Sequence, residues 1–254
     1  MGNVKKNKWF IAVKKRGQDL FDLSDLVLIN PPEDTYMADP FLFKQAGKHY
    51  LFFEWYDYEK GRIAYSELLW HNGRLLTTDP KIILDPPYHC SFPAIFEDEG
   101  EVYMTPETGQ AGRVELWKAQ EFPDKWVKVK DLVGGNFGDP IIFKNGKKYW
   151  LFVTEGDNDV RIFEADSLFG EWRLMRSETE LHSRSAGHVF HHGGKTIRPV
   201  QDCVGQYGRA IHFKDMDTGA IIRSIKPDWH PNLTGTHTFN FNDNFIVIDG
   251  RIKL

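Results

Sequence analysis

Seven carboxylates in this chain stand at the ends of short apolar stretches: Asp39, Glu54, Glu107, Asp139, Glu155, Asp202 and Asp249. Asp39 and Asp139 each precede a proline and open a run, as DPFLF and DPIIF, while the others close one, as in YLFFE, YWLFVTE and RPVQD. Carboxyl groups gathered in one place do acid–base work: one gives a proton to a leaving oxygen while another activates water or attacks carbon. In glycosidic cleavage their separation, about 5 Å or about 6.5–9.5 Å, decides between retention and inversion. Like charges held close in a narrow site also push at least one pKa upward. The same residue types have quieter uses. An Asp before Pro caps a turn at a strand start, and a carboxylate repeated at strand ends can accept backbone N–H groups. Which use applies depends on whether the fold brings these groups together.

The elements that must position them form a repeat. Hairpins run from Asp39 to Glu54, Phe92 to Glu107, Asp139 to Glu155, Gly187 to Asp202 and His237 to Asp249, with starts 53, 47, 48 and 50 residues apart. That period is the period of a propeller blade. Each copy is an apolar strand, a turn and a second apolar strand; Gly47, Gly100, Gly146 and Gly193 mark the first four turns, and Asn242-Asp243-Asn244 serves in the fifth. In an antiparallel hairpin the first residue lies beside the last, so both ends of every copy meet at one edge. Five such edges ring one mouth of a central channel, and that mouth is rich in carboxylates.

The remaining segments supply outer strands: GRIAYSEL then KIILD, GRVELWKA then WVKVKDL, VRIFEAD then WRLMRS, and RAIHFK then AIIRSIK. The fifth copy lacks such a pair, while KWFIAVKK and DLVLIN near the N-terminus have strand alternation and no assigned partner. The expected fold is therefore all-β: a five-bladed β-propeller of four-stranded blades, with the last blade closed by N-terminal strands and residues 1–254 forming one domain. Closure of this kind removes the open edges of a sheet.

With 32 basic and 36 acidic residues the net charge is −4, and the lysines and arginines are scattered. That leaves no footprint for a nucleic-acid backbone or an anionic membrane. No apolar run reaches the ~18 residues needed to span a bilayer, so the chain reads as cytoplasmic. Cys90 and Cys203 lack metal-type spacing and are expected to be free thiols.

ADPFLF with YLFFE, HCSFPAIF with MTPET, GDPIIF, SRSAGHVF with RPVQDCVGQYG, and GTHTFN together resemble the N-terminal propeller of glucosamine inositolphosphorylceramide transferases, over roughly Asp34 to Asp249. More distantly the pattern is similar to five-bladed arabinanase, xylosidase and fructosidase propellers, in which a DP dipeptide opens the first and third blades. The glycosidase likeness implies Asp39 as base or nucleophile and Asp139 as the residue that orients the sugar and tunes the acid. It also exposes a departure. Those enzymes carry the general-acid Glu at the start of blade four, where this chain reads Ser185-Ala186-Gly187-His188. The acid is then sought in Glu107, which follows Pro106, or in Glu155 one blade later.

Around these, Glu54, Trp55, Phe92, His188, Arg198, Gln201, Asp202 and His237 are the expected sugar-binding residues. Arg198 offers a planar donor fork, His188 and His237 offer imidazoles, and Trp55, Tyr88 and Phe92 offer faces on which a sugar can stack. The glycosidase likeness sets His237 beside a central calcium or water cluster, but calcium needs more oxygen ligands than the sequence assigns, and no metal or cofactor is expected. The expected ligand is a glycan or a sugar-containing small molecule. Two functions follow: hydrolysis or transfer of a glycosidic linkage at the acidic mouth, or recognition of a glycan or glycolipid head group beside a separate glycosyltransferase.

Overall fold

The computed structural model describes residues 7–253, leaving 1–6 and 254 outside it. Its strands form five sheets, one for each repeat. Blade one comprises Tyr36–Gln45, Lys48–Tyr56 and Gly61–His71, with Arg74–Thr77 and Lys81–Leu84 both paired to the third strand. Blade two is Ser91–Asp98, Glu101–Glu107, Arg113–Glu121 and Lys125–Gly134; blade three is Gly138–Asn145, Lys148–Glu155, Asp159–Ala165 and Arg173–Thr179. Blade four is Phe190–His192, Lys195–Asp202, Ala210–Asp215 and Ile221–Ile225. The structure thus bears out the five-bladed propeller, with one addition: the short strand Arg74–Thr77 extends the third strand of blade one into a hairpin.

Turn chemistry fixes the inner hairpins. Gln45 pairs with Lys48, and the two residues between them, Ala46 and Gly47, have φ of 48° and 78°. A two-residue turn with both central φ positive matches the right-handed twist of the strands it joins. In the fifth blade Asn242 does the equivalent work, its Oδ1 accepting the Asn244 and Phe245 N–H groups at 2.8 and 2.9 Å.

Blade five closes as the sequence leads one to expect. Phe239–Phe241 and Phe245–Lys253 form its inner hairpin, Asn7–Lys15 pairs antiparallel with Phe245–Lys253 from Asn7↔Lys253 to Lys15↔Phe245, and Val27–Ile29 lies outermost. Leu233–Gly235 adds a short pairing at the far end of Phe245–Lys253.

The core lies between blades. Ile11, Val13 and Val247 of blade five meet Leu51 and Phe53 of blade one; Phe41 and Phe52 meet Ile95 and Met104 of blade two; Leu116 meets Leu151 of blade three; Ile211 and Phe213 of blade four meet Ile246 and Ile248. Each such side chain taken from water stabilises the ring by roughly 1.5–3 kcal/mol. Blades three and four meet differently: the Arg198 guanidinium lies over the Phe152 ring, 4.7 Å from its centroid.

Candidate functional site

The same irregularity opens the inner strand of blades one, two and three. Register jumps from Ala38↔Glu54 to Phe41↔Phe52, from Ser91↔Glu107 to Ala94↔Thr105, and from Gly138↔Thr154 to Ile141↔Phe152. The residues skipped are Asp39-Pro40, Phe92-Pro93 and Asp139-Pro140, and the first of each pair has φ of 54°, 49° and 45°. Proline has no N–H to lose from the ladder, so it suits an interruption. A bulky residue in the left-handed region is strained, and such bulges re-aim a side chain. Here they turn Asp39 and Asp139 toward the channel.

Each bulge frees a backbone N–H, and a carboxylate of the preceding blade accepts it. Asp39 N–H donates to Asp249 Oδ2 at 3.2 Å, Phe92 N–H to Asp39 Oδ2 at 3.2 Å, and Asp139 N–H to Glu107 Oε2 at 3.0 Å. The carboxylates form a relay around the ring, blade five to one, one to two, two to three. Asp249 is fully buried and its other oxygen takes the His237 and Thr238 N–H groups at 2.8 and 3.1 Å.

Two clusters grow from this relay. In the first, Asp39 accepts from the Thr238 hydroxyl at 2.9 Å, and the buried His237 ring lies between Asp249 Oδ2 at 2.6 Å and Asp39 Oδ1 at 3.4 Å. The His237 ring stacks on Trp9 with centroids 4.1 Å apart. Burial works to lower the His237 pKa, but the Asp249 and Asp39 charges outweigh it and hold the ring above its ordinary value. Burial pushes Asp39 up despite the neighbouring imidazole. Asp39, His237 and Asp249 bring three ligand atoms close together, and both carboxylates accept backbone or hydroxyl donors.

In the second cluster Arg184 joins Asp139 to Glu107. Its Nε donates to Asp139 Oδ2 at 2.6 Å and its Nη2 to Glu107 Oε2 at 3.0 Å, while Gln201 Nε2 donates to the same Asp139 oxygen at 2.6 Å. Tyr207, 40% exposed, covers the guanidinium at 5.3 Å from its ring centroid. Burial raises Asp139 well above the ordinary carboxylate range. Burial acts likewise on Glu107, but the Arg184 charge and the Asp139 donors overcome it and hold Glu107 below that range.

Glu54 stands apart from both. It is 5% exposed, its Oε1 has no hydrogen-bond partner, and that oxygen lies 3.4 Å from His89 Nε2. His89 Nδ1 accepts the Gly61 N–H at 2.9 Å, which leaves the ring proton on the Nε2 that faces Glu54. Burial, with Asp39 and Glu107 nearby, raises the Glu54 pKa well above its ordinary value.

The structure therefore draws Asp39, Glu54, Glu107, Asp139, Gln201 and His237 around one mouth and sets the other expected site residues elsewhere. Glu155 is on the surface, paired with Arg161. Trp55 packs against the core shared by blades five and one, and Phe92 is fully buried against Phe41. His188 hydrogen-bonds Ile95 O through Nε2 at 2.9 Å, and burial pushes its pKa down to about 4. Arg198 donates to Ser183 O, and burial lowers its pKa to about 10. Asp202 pairs with Arg209 and two imidazoles on blade four. Tyr88 bonds the buried Glu115 at 2.8 Å. Clefts of about 560 and 330 Å³ lie between blades one and five at the hairpin turns and between blades three and four, away from these carboxylates.

Arg184 is the residue that sequence reasoning did not single out. It lies in SRSAGHVF immediately before the Ser185-Ala186-Gly187-His188 stretch, and it begins the inner edge of blade four, its carbonyl accepting the Gln201 N–H at 2.7 Å. Gly187 follows with φ of 141°, and a Cβ there would overlap the Phe239 carbonyl oxygen. Blade four thus brings an arginine to the mouth and leaves no room for a side chain at Gly187.

The fold and this site define a five-bladed β-propeller with a carboxylate-rich mouth. Residues 28–220 match the family model for the N-terminal region of glucosamine inositolphosphorylceramide transferase 1, and the chain belongs to that family. It is 30% identical over 192 residues to glucosamine inositolphosphorylceramide transferase 1 of Oryza sativa subsp. japonica, covering 70% of this chain and 26% of the relative. The Arabidopsis thaliana protein of the same name is 29% identical over 199 residues, covering 72% and 26%. The chain thus spans about a quarter of the length of these curated relatives.

Among solved structures, an α-L-arabinofuranosidase from Clostridium thermocellum superposes with a TM-score of 0.59 at 14% identity, over 83% of this chain and 80% of that one. A β-fructofuranosidase from Bombyx mori gives 0.55 at 15%, over 87% and 56%. These likenesses establish the fold. Among the described residues no helix is long and apolar enough to cross a membrane.

Proposed function

We propose that this propeller recognises a glycan or glycolipid head group at the carboxylate mouth, in the service of glycosyl transfer carried out by a separate catalytic unit, and that it does not itself break a glycosidic bond. One observation carries the reading: Arg184 donates to both Asp139 and Glu107, so two carboxylates that hydrolysis would need are already tied to a buried cation. The space at Gly187 agrees with it. The relatives are named as transferases that act on inositolphosphorylceramide, which makes an inositol phosphate bearing an amino sugar the ligand class to try first. Asp39, Glu54, Glu107, Asp139, Gln201 and His237 are the contact residues of this proposal, with Arg184 as a donor to sugar hydroxyls or phosphate.

A second reading has its own observation. Glu54 is a buried carboxyl with a free oxygen, and burial favours its protonated form, so it can serve as a proton donor that replaces the missing blade-four acid. Calorimetry with a glucosaminyl inositol phosphate, alongside product analysis of the same mixture, separates the two. Binding without product, weakened more than tenfold in Asp39→Asn, supports recognition. Release of free sugar that disappears in both Asp39→Asn and Glu54→Gln overturns it in favour of catalysis.

A further inference from the structure

On the rim of blade four, His182, Asp202 and His212 come together in an arrangement that the mouth does not use. His182 Nδ1 lies 3.3 Å from Asp202 Oδ1, His212 Nε2 lies 3.4 Å from Asp202 Oδ2, and all three ligand atoms are within 4.8 Å of one another. A zinc ion held tetrahedrally by bonds of about 2.0–2.1 Å spaces its ligand atoms about 3.3 Å apart. Each imidazole nitrogen lies at about that distance from one carboxylate oxygen, His182 from Oδ1 and His212 from Oδ2, so the carboxylate faces both rings.

The approach of His182 is the telling contact. Its Nδ1 is buried and has no hydrogen-bond partner, although a carboxylate oxygen is 3.3 Å away. The lone pair and the carboxylate are badly aligned to share a proton, and well spaced to share an ion. The two rings stand nearly perpendicular, at 85° with centroids 4.6 Å apart, and their candidate ligand atoms lie within 4.8 Å of each other and of the carboxylate. His212 Nδ1 contacts Ser224 Oγ at 2.7 Å, which fixes the ring and leaves Nε2 to face Asp202. Metal-bound imidazoles are oriented by such an outer partner.

We propose that His182, Asp202 and His212 form a binding site for a divalent transition-metal ion, with zinc the best match to two imidazoles and one carboxylate. Three protein ligands leave a fourth position open to water or to a group from outside. Arg209 Nε donates at 2.8 Å to Oδ2, the oxygen that faces His212, and the Val204 N–H donates at 3.0 Å to Oδ1, the oxygen that faces His182, so both compete with the ion for the carboxylate. His182 is two residues before Arg184, so an ion here pins the loop that delivers Arg184 to the mouth.

The test is calorimetric titration of zinc into the chelator-stripped full chain, with cobalt absorption as a report of coordination. One zinc per chain is expected, with affinity at least tenfold weaker in His182→Ala and in His212→Ala and unchanged in His191→Ala. Arg209→Gln is expected to bind at least threefold more tightly, a gain that a misfolded variant cannot mimic, and cobalt should show the intense visible bands of a four-coordinate site. Binding undiminished by His182→Ala, absence of stoichiometric binding in both wild type and Arg209→Gln, or only the weak bands of hydrated cobalt would each overturn the proposal.

Discussion

At the scale of single residues, Arg184 and Glu54 mark two opposite treatments of buried charge. Arg184 pairs with Asp139 and Glu107 at once, and its side chain is 15% exposed. Removing one partner of a buried ion pair costs about 3–5 kcal/mol because the others stay buried and uncompensated. Arg184→Met is expected to lose that much in urea unfolding at pH 7, and Asp139→Asn with Glu107→Gln in the same background should recover most of it. A loss below about 1 kcal/mol would mean that the pair is as weakly held as a solvent-exposed one. Glu54 has no cation of its own. Its folded pKa lies above the ordinary 4.5 because burial penalises the anion, so between these two values the folded protein holds a proton that the unfolded chain has released. Stability from this group is greatest below its ordinary pKa and declines as pH rises through the folded one. Glu54→Gln removes that decline. Thermal melts should show the variant gaining on wild type from pH 4 to pH 8; parallel curves would sink the assignment. His237, also raised, adds stability below its ordinary 6.5 that fades as pH climbs, but it is common to both proteins and cancels in the difference.

At the scale of elements, the bulge at each inner-strand start decides what reaches the channel. Asp39 and Asp139 were legible because an Asp-Pro pair recurs one hundred residues apart at matching places in the repeat, and proline announces the break in the ladder. Phe92 occupies the equivalent place in blade two and has the same positive φ, yet it packs as an apolar ring against Phe41 where Asp39 and Asp139 accept polar donors; the repeat fixes the backbone, and the side chain decides whether the position joins the site. Glu155 and Arg198 misled for the complementary reason. Arg198 shares a strand with Gln201, and Glu155 ends the strand paired with the one that Asp139 opens, but which way a side chain faces and which neighbour it meets follow from the packing of blades, and a hydrophobic pattern does not encode that. Arg184 was hidden because a loop places it, and Gly187 shows how tightly that stretch is fitted. Its φ of 141° and the nearby Phe239 carbonyl leave no volume for a methyl group. Gly187→Ala is expected to cost about 1–3 kcal/mol through overpacking, on top of the backbone penalty, measured as a fall in the urea midpoint. Gly187→Glu, which writes a blade-four acid into the sequence, should be still less stable and should release no sugar from a glycoside. A stable, hydrolytic Gly187→Glu would show that blade four retains the acid's seat.

At the scale of the whole molecule, the ring is held shut by strands from opposite ends of the chain. The repeat period announced the number of blades, and the unassigned N-terminal strands announced the closure, since five inner hairpins with four sets of outer strands leave one vacancy. What that closure secures is the relay of carboxylates. Asp249, which receives the Asp39 N–H, lies on Phe245–Lys253, and the residue paired with it is Ile11 on Asn7–Lys15. Without the N-terminal strands, Phe245–Lys253 becomes an open edge, and Ile11 and Val13, both fully buried, are lost from the interface with blade one. An unprotected edge of this length invites pairing between chains. A chain lacking residues 1–30 is therefore expected to run as oligomers on size exclusion, to lose its near-ultraviolet circular dichroism and to show no ligand binding at the mouth. A synthetic peptide of residues 7–30 supplies the missing strand, and mixing it during refolding should return monomers with the native aromatic signal. A truncated chain that stays monomeric, melts within a few degrees of the full one and binds as well would show that four complete blades and a bare hairpin suffice, and that the N-terminal strands cover the ring without holding it.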